Sequence, residues 1–301
     1  MGIDVTQVRM RPAAGLERRA ALMLLPEGVR QRPWNDYWLA VCENPLRILA
    51  SAASFRSIAP DGRPQLHVDI HVAAAYRRQG IGRAMIERLR EEARGRHTLS
   101  LVTSIDPRAS EDAHGFLAGL GFEATDRLST YEVDTRRLAD YVLSLRDWLV
   151  QRGSIPAGAR VVPLREVPDL VLAAHLYADH LAGTRENTSI FLRELLAGPM
   201  ADHNIGLLVD GQLAGLMVTE TYDGFSEVKS TVVDPAFRAH TMGGGWANVM
   251  MMADRLHWGL SLGSRRCRFS SFEGAKATRK LAIQSGAECV AVADFYRLML
   301  G

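Results

Sequence analysis

The run Val72-Ala73-Ala74-Ala75-Tyr76-Arg77-Arg78-Gln79-Gly80-Ile81-Gly82-Arg83 joins an alternating segment to a helical one. Upstream, Leu66-His67-Val68-Asp69-Ile70-His71-Val72 alternates apolar and polar residues with the period of two that a strand requires. Downstream, Ile81, Met85, Leu89 and Ala93 recur every four positions, on one face of a helix, and Gly95 offers a stop. Between them lies a loop with two glycines. The N–H groups at a helix start have no partner within the helix and carry partial positive charge, so such a loop suits a phosphate or pyrophosphate. Without Cβ atoms, Gly80 and Gly82 would let the backbone approach an anion closely. Arg77 and Arg78 can add charge-assisted contacts. The same residues also read as a tight strand-to-helix turn with solvated arginines.

Outward from this stretch, the chain reads as two similar halves. In the first, Val5–Arg11 alternates like a strand and Leu16–Leu25 is a helix. Tyr37–Cys42, Arg47–Phe55 and Gln65–Val72 follow as strands, with turns at Glu43-Asn44-Pro45 and Pro60-Asp61-Gly62. Leu99–Ile105 is a strand, Ser110–Leu120 a helix ending at Gly121, and Phe122 to Val133 completes the half. Asp134 is a suitable N-cap, and Leu138, Tyr141, Val142, Leu145, Trp148 and Leu149 fall on one face of the helix it opens. The second half repeats the order: a strand at Val161–Leu164, helices at Leu170–Leu181 and Ser189–Leu196, and a hairpin of Ile205–Val209 and Leu213–Glu220 around Asp210-Gly211. Then come a strand at Glu227–Val233, a glycine-rich loop at Phe237–Gly245, a helix at Trp246–Trp258, a strand at Arg266–Ser270, a helix at Ala275–Gln284 and a strand at Ala291–Leu298. Strands in hairpins alternating with helices give an α/β class with a mixed sheet in each half. The expected boundaries are 1–134, a helical connector at 135–158, and 159–301. Trp34 and Trp38, with Tyr37 between, are spaced as in plain helix packing.

Two motifs carry a resemblance to a known family. Arg77-x-x-Gly80-x-Gly82 matches the Gln/Arg-x-x-Gly-x-Gly/Ala signature of the GNAT superfamily of N-acetyltransferases, and Ala113-x-x-Phe116-Leu117-x-x-Leu120-Gly121-Phe122 matches its second helix. The chain thus resembles a tandem GNAT protein: two GNAT-like domains, each a mixed central sheet flanked by helices. The resemblance implies acetyl-CoA as co-substrate, bound by Val72, Arg77, Arg78, Gln79, Gly80, Ile81, Gly82 and Arg83. It also implies that the splayed strand after Pro64 lines the acyl site. The reaction implied is direct attack of a small-molecule primary amine on the thioester. The chain departs from the family at Leu117, where a tyrosine acts as general acid, and Ser110 stands where the family often has Asn. In the second half, Arg238 and Gly243 repeat the signature, but Thr241 sits at the first glycine. Ala282 takes the place of the tyrosine, and Glu227 is the only obvious base there. That half is expected to be structural or to shape the acceptor pocket.

An attacking amine must lose a proton, so a base near the strand is expected. Asp69, flanked by His67 and His71 on one strand face, is the candidate, with either histidine as the alternative and a plain polar sheet face as the unreactive reading. His-x-Asp-x-His looks ligand-like, but residues four apart on a strand are about 13 Å apart, so no metal is expected.

With 36 Lys plus Arg against 34 Asp plus Glu, the charge of +2 lacks the basic surplus that binding a nucleic-acid backbone requires. Nucleic acid is therefore not an expected partner. Neither is a membrane, since no apolar stretch reaches about 18–20 residues. Cys42, Cys267 and Cys289 are odd in number and widely spaced, which reads as reduced thiols in a cytoplasmic protein. A homodimer is one arrangement open to it. Two other functions stand as alternatives: a non-catalytic CoA-binding or interaction module, and a Fem-like aminoacyl transferase.

Overall fold

A computed structural model describes residues 8–26, 35–43, 46–59, 62–108, 111–199, 201–222, 224–238 and 245–301. The elements begin β1 (Val8–Pro12), α1 (Leu16–Leu24), β2 (Asp36–Glu43), β3 (Leu46–Ile58), β4 (Pro64–Val72), α2 (Ile81–Gly95), β5 (Ser100–Ile105) and α3 (Glu111–Ala118). They continue β6 (Glu123–Asp134), α4 (Thr135–Gln151), β7 (Ala159–Pro163), α5 (Leu170–His180), α6 (Arg185–Ala197), β8 (Ile205–Val209), β9 (Gln212–Tyr222) and β10 (Phe225–Val233). The last are α7 (Pro235–Arg238), α8 (Gly245–Ser261), β11 (Arg266–Phe272), α9 (Lys276–Ser285) and β12 (Glu288–Met299). The start of the first strand and residues 239–244 of the glycine-rich loop, with Trp34, Ser110, Thr241 and Gly243, lie outside the described residues.

Packing divides the chain into two units. The first comprises Met1–Thr125, Ala182–Asn187 and Asp294–Gly301. Its strands run β1-β2-β3-β4-β5 and then β12, all antiparallel except β4 beside β5. The sheet is covered on both faces because β2 and β3 carry apolar residues at successive positions. Trp38, Ala40, Ala50 and Ala52 face α2, whose Ile81, Met85, Leu89 and Ala93 are buried as their four-residue spacing requires. Tyr37, Leu39 and Ala53 face the other way, against Ala21 of α1. Each of the larger aliphatic side chains contributes roughly 1.5–3 kcal/mol by leaving water. Trp38 belongs to a strand, not a helix, and its indole N–H donates to Ser54 Oγ at 3.1 Å.

The second unit comprises Asp126–Leu181 and Thr188–Ala293. Its strand order is β6-β11-β10-β9-β8-β7. The hairpin between β8 and β9 turns at Asp210 and Gly211, with φ of +50° and +82°, as a two-residue turn of the I′ type needs. Asp134 caps α4 by accepting from the Arg137 N–H at 2.9 Å. Leu138, Ala139 and Val142 of α4 pack on Ala253 and Leu256 of α8, so this helix is part of the second unit's core. Trp148, expected on the buried face, is 46% exposed and carries the Arg152 guanidinium over its ring at 4.3 Å. On the opposite side, α5 is held by Tyr177 Oη donating to Ser230 Oγ at 2.7 Å, and burial pushes the Tyr177 phenol up to about 12.

The units do not follow chain order. β6 pairs with β11 from Leu128↔Phe272 to Asp134↔Arg266, inside the second unit. Residues 294–299 of β12 pair with β5 inside the first. The expected borders at 134 and 158 assumed that each stretch of chain closes its own sheet. Here the first sheet takes its last strand from the chain's final residues.

Candidate active site

At the end of β4, Val72 runs through Ala73 into a 3-10 turn, Ala74–Tyr76, then to the start of α2. Gly80 adopts φ +82°, which an L side chain resists, so this is the position where glycine is required. Arg78 also sits at φ +63°. The first bond of α2 runs from Ala84 N–H to the Gly80 carbonyl at 3.0 Å, and no side chain caps the helix. The amides of Ile81, Gly82 and Arg83 therefore end the helix without an intrahelical acceptor. Gly82 has a packing role as well. A Cβ there would lie 3.2 Å from Phe116 Cζ and 3.6 Å from Val72 Cγ2, so its bareness lets α3 close onto the loop.

The basic residues divide into two kinds. Arg77 Nε donates to the Val72 carbonyl at 3.1 Å, bracing the corner between strand and loop. Gln79 Nε2 likewise donates to Ala75 O at 3.2 Å. Arg78 reaches Asp112 on α3 at 3.3 Å in an exposed pair, and such a pair is worth at most about 1 kcal/mol, so it can exchange for an incoming anion. Exposed Arg83 lines an open groove of about 620 Å³ that begins at Gly80 and runs along Ala84, Glu87 and Arg88 towards β1.

The parallel pairing of β4 and β5 extends only over Leu66↔Leu101 and His67↔Val102. Beyond it, β4 still pairs with β3 as far as Val72, and β5 with β12 as far as Ile105. The strands thus part after His67, and the parted edge leads to the N-terminus of α2. An extended chain with backbone-like amides fits such a split, as it can pair with the freed strand edge.

The expected His-Asp-His face is present, with the apolar partners Leu66, Val68 and Ile70 turned into the α2 core. The three polar side chains are not equivalent. His67 is 5% exposed, stacked on Phe55 at 4.8 Å and met edge-on by Phe295 at 5.8 Å. Its Nε2 lies 3.7 Å from Asp69 Oδ2, too long for a hydrogen bond, and has no closer partner among the described residues. Asp69 lies beyond the split and keeps 15% of its side chain open. His71 is held below the usual imidazole range, first by burial and then by the positive charge of Arg77. It is therefore neutral at pH 7 and able to accept a proton. No cluster suited to a metal ion occurs among the described residues.

Leu117 is 5% exposed and belongs to the α2 core, so that position does not open onto the split. One turn earlier on α3, His114 Nδ1 lies 2.7 Å from Tyr296 Oη. These residues are 182 positions apart, and no local pattern joins them.

The second unit has a comparable split. β10 and β11 pair in parallel only over Phe225↔Arg266 to Glu227↔Arg268. Glu227, the base expected there, is bound by Lys229 Nζ at 2.9 Å, and Lys229 also meets Glu220 at 3.1 Å. Cys267 is buried, and burial raises its thiol to about 12, so it is no nucleophile. No described helix is long and apolar enough to cross a membrane.

Residues 33–124 match the sequence family described as acetyltransferase (GNAT) domain. No curated protein matches the chain. Among solved structures, the chain is similar to a tandem GNAT protein from the clavulanic acid biosynthesis pathway, with 20% identity, TM-score 0.54, and 98% and 99% of the two chains covered. It is similar to a GCN5-related N-acetyltransferase from Sphaerobacter thermophilus at 14% identity, TM-score 0.56, covering 100% and 97%. A putative acetyltransferase from Pyrococcus horikoshii aligns at 17% identity, TM-score 0.55, covering 99% and 91%.

Proposed function

We propose, for a chain that has the tandem GNAT fold and carries a GNAT acetyltransferase domain over residues 33–124, that it transfers an acetyl group from acetyl-CoA to the primary amine of a small molecule. The observation that carries this reading is the parting of β4 from β5 after His67, directly before the uncapped start of α2. The amides of Ile81, Gly82 and Arg83, with Arg78 released from Asp112, would hold the pyrophosphate of the donor. Val72, Arg77, Gln79 and Gly80 give the loop its shape. The freed edge of β4 would pair with the pantetheine arm and set the thioester beside the strand.

On the far face, Asp69 takes the proton that the amine must lose. His67, fixed between Phe55 and Phe295, backs the carboxylate, and neutral His71 is the second acceptor in reach of the same stretch of strand. Attack is direct, so holding amine and thioester together supplies much of the acceleration. The second unit, with Glu227 bound to Lys229, is structural in this reading and carries no turnover of its own.

The test is calorimetric titration with acetyl-CoA, followed by release of free thiol in the presence of a panel of primary amines. Asp69→Asn keeps shape and loses basicity. It should bind acetyl-CoA as the parent does, and lose at least about tenfold in kcat/KM at neutral pH, general-base terms being about 10²–10⁴-fold. The loss should shrink at high pH, where the amine sheds its proton unaided. Parental activity of Asp69→Asn across pH 6–9 would shift the role to His71.

A further inference from the structure

When the amine displaces CoA, the sulfur departs with an electron pair, and no group so far described supplies it with a proton. Leu117, at the position the resemblance points to, is an alkyl side chain sealed in the core. Val72, Phe116 and Ile105, around the split on the α2 and α3 side, have no proton to give. Among the described residues packed on that cluster two phenols remain, Tyr76 on the loop after β4 and Tyr296 on β12, and the hydroxyl of Tyr296 is held by His114.

Tyr296 lies on β12 opposite Thr103, the first residue of β5 beyond the last β4–β5 pair at Val102. Its ring packs against the same cluster as Val72 and Ile105, the residues that end the two parted strands. Its hydroxyl reaches across to α3, where His114 Nδ1 fixes it at 2.7 Å. The hydroxyl is therefore at the depth where the strands diverge, and it is anchored one helical turn before Leu117.

Resting on the acyl-transfer reading above, we propose that Tyr296 is the acid that protonates the leaving sulfur, with His114 as its positioning residue. With its proton on Nδ1, His114 donates to Oη and leaves the tyrosine's own O–H free to point at the sulfur. The amine nitrogen forms its bond to the thioester carbon, and the C–S bond breaks with both electrons going to sulfur. The Tyr296 proton moves to that sulfur, giving the free thiol. The proton that Asp69 takes from the nitrogen is returned to the tyrosinate through solvent, and the second proton that the nitrogen sheds on becoming an amide passes to water, so the cycle closes with no other reactant. The final strand of the chain thereby completes the chemistry of the first unit.

The full-length protein is assayed with acetyl-CoA and the amine panel, by thiol release. Tyr296→Phe keeps the ring in the core and removes only the hydroxyl. We expect kcat to fall at least about tenfold, less than the usual ~10²–10⁴-fold of general acids because a thiolate leaves more readily than an alkoxide. KM for acetyl-CoA, its affinity and the melting midpoint should stay parental. His114→Ala should lower kcat in the same way, while His114→Asn, which keeps a polar atom near the Nδ1 position, should recover most of the loss. Parental kcat in Tyr296→Phe overturns the assignment. So does a loss that comes with a lowered melting midpoint and is not mirrored in the two His114 variants. A parent that binds acetyl-CoA but releases no thiol with any amine defeats the acyl-transfer reading itself, and the inference with it.

Discussion

Replacing Gly82 by Asp separates the two things the start of α2 does, because it weakens anion binding while leaving stability nearly unchanged. Gly82 occupies the second helical position after the Gly80 cap, where an acidic side chain meets the positive end of the helix dipole. That interaction favours the fold by roughly 0.3–1 kcal/mol. Against it stands a tight contact, since the new Cβ falls 3.2 Å from Phe116 Cζ. Phe116 is 39% exposed and can give by the few tenths of an ångström needed. Folding stability should therefore stay close to that of the parent. For a phosphate on the same amides, one added negative charge at about 4 Å costs roughly 1 kcal/mol in water-like surroundings and about 4 kcal/mol at an effective dielectric of 20. A middle value of about 2 kcal/mol weakens binding roughly thirtyfold.

Calorimetric titration with acetyl-CoA and a thermal melt read the two effects separately. Gly82→Ala is the control, adding the Cβ without the charge, and should weaken binding less. The charge-dependent part should also fade in 1 M salt, where screening acts within about 3 Å. If Gly82→Asp binds acetyl-CoA as the parent does, or if Gly82→Ala weakens it equally and regardless of salt, the amides of α2 hold no phosphate.

Two other outcomes follow from the same packing. Leu117→Tyr, which installs the residue the family resemblance calls for, should cost about 1–3 kcal/mol by overfilling the α2 core and leave kcat no higher, as read by denaturant unfolding and thiol release. His71 and His203 are both held below the usual imidazole range, mainly by burial and then by Arg77 and Arg255; the unfolded chain takes up these protons near pH 6.5 and the folded one resists, so stability is complete above about pH 6.5 and falls as the pH drops. Melting midpoints from pH 7 to 5 should decline, less steeply in His71→Gln and in His203→Gln, and an unchanged slope in both would refute the account.

Local signals in the sequence carried far. Alternation along Leu66–Val72 and the four-residue spacing from Ile81 to Ala93 mark β4 and α2 because each pattern is set within one element. Asp210-Gly211 marks its hairpin because the turn itself needs positive φ. What could not be read is pairing across long separations. β6 and β12 are equally acceptable strands beside several neighbours, since each presents the same backbone groups. Gly82 shows a similar limit. A missing Cβ is visible in sequence, but whether the space goes to a ligand or to Phe116 depends on where α3 docks.

The chemistry at the split depends on one such long-range pairing. β12 places Phe295 and Tyr296 side by side, and strand alternation sends them to opposite faces of the first sheet. Phe295 meets His67 edge-on and so helps fix the histidine behind Asp69. Tyr296 meets His114 on the face that holds α3. A shift of one residue in the β5–β12 register would exchange the two rings, leaving a hydroxyl beside His67 and a phenyl ring beside His114. The register from Asp294↔Ile105 to Met299↔Ser100 therefore matters to the reaction as well as to the sheet. It is held by Leu298, buried with Leu101 in the α2 core, and by the Leu300 N–H donating to the Leu99 carbonyl at 3.0 Å. These are ordinary packing contacts at the chain's end, and through the strand's alternation they set which groups face each side of the split.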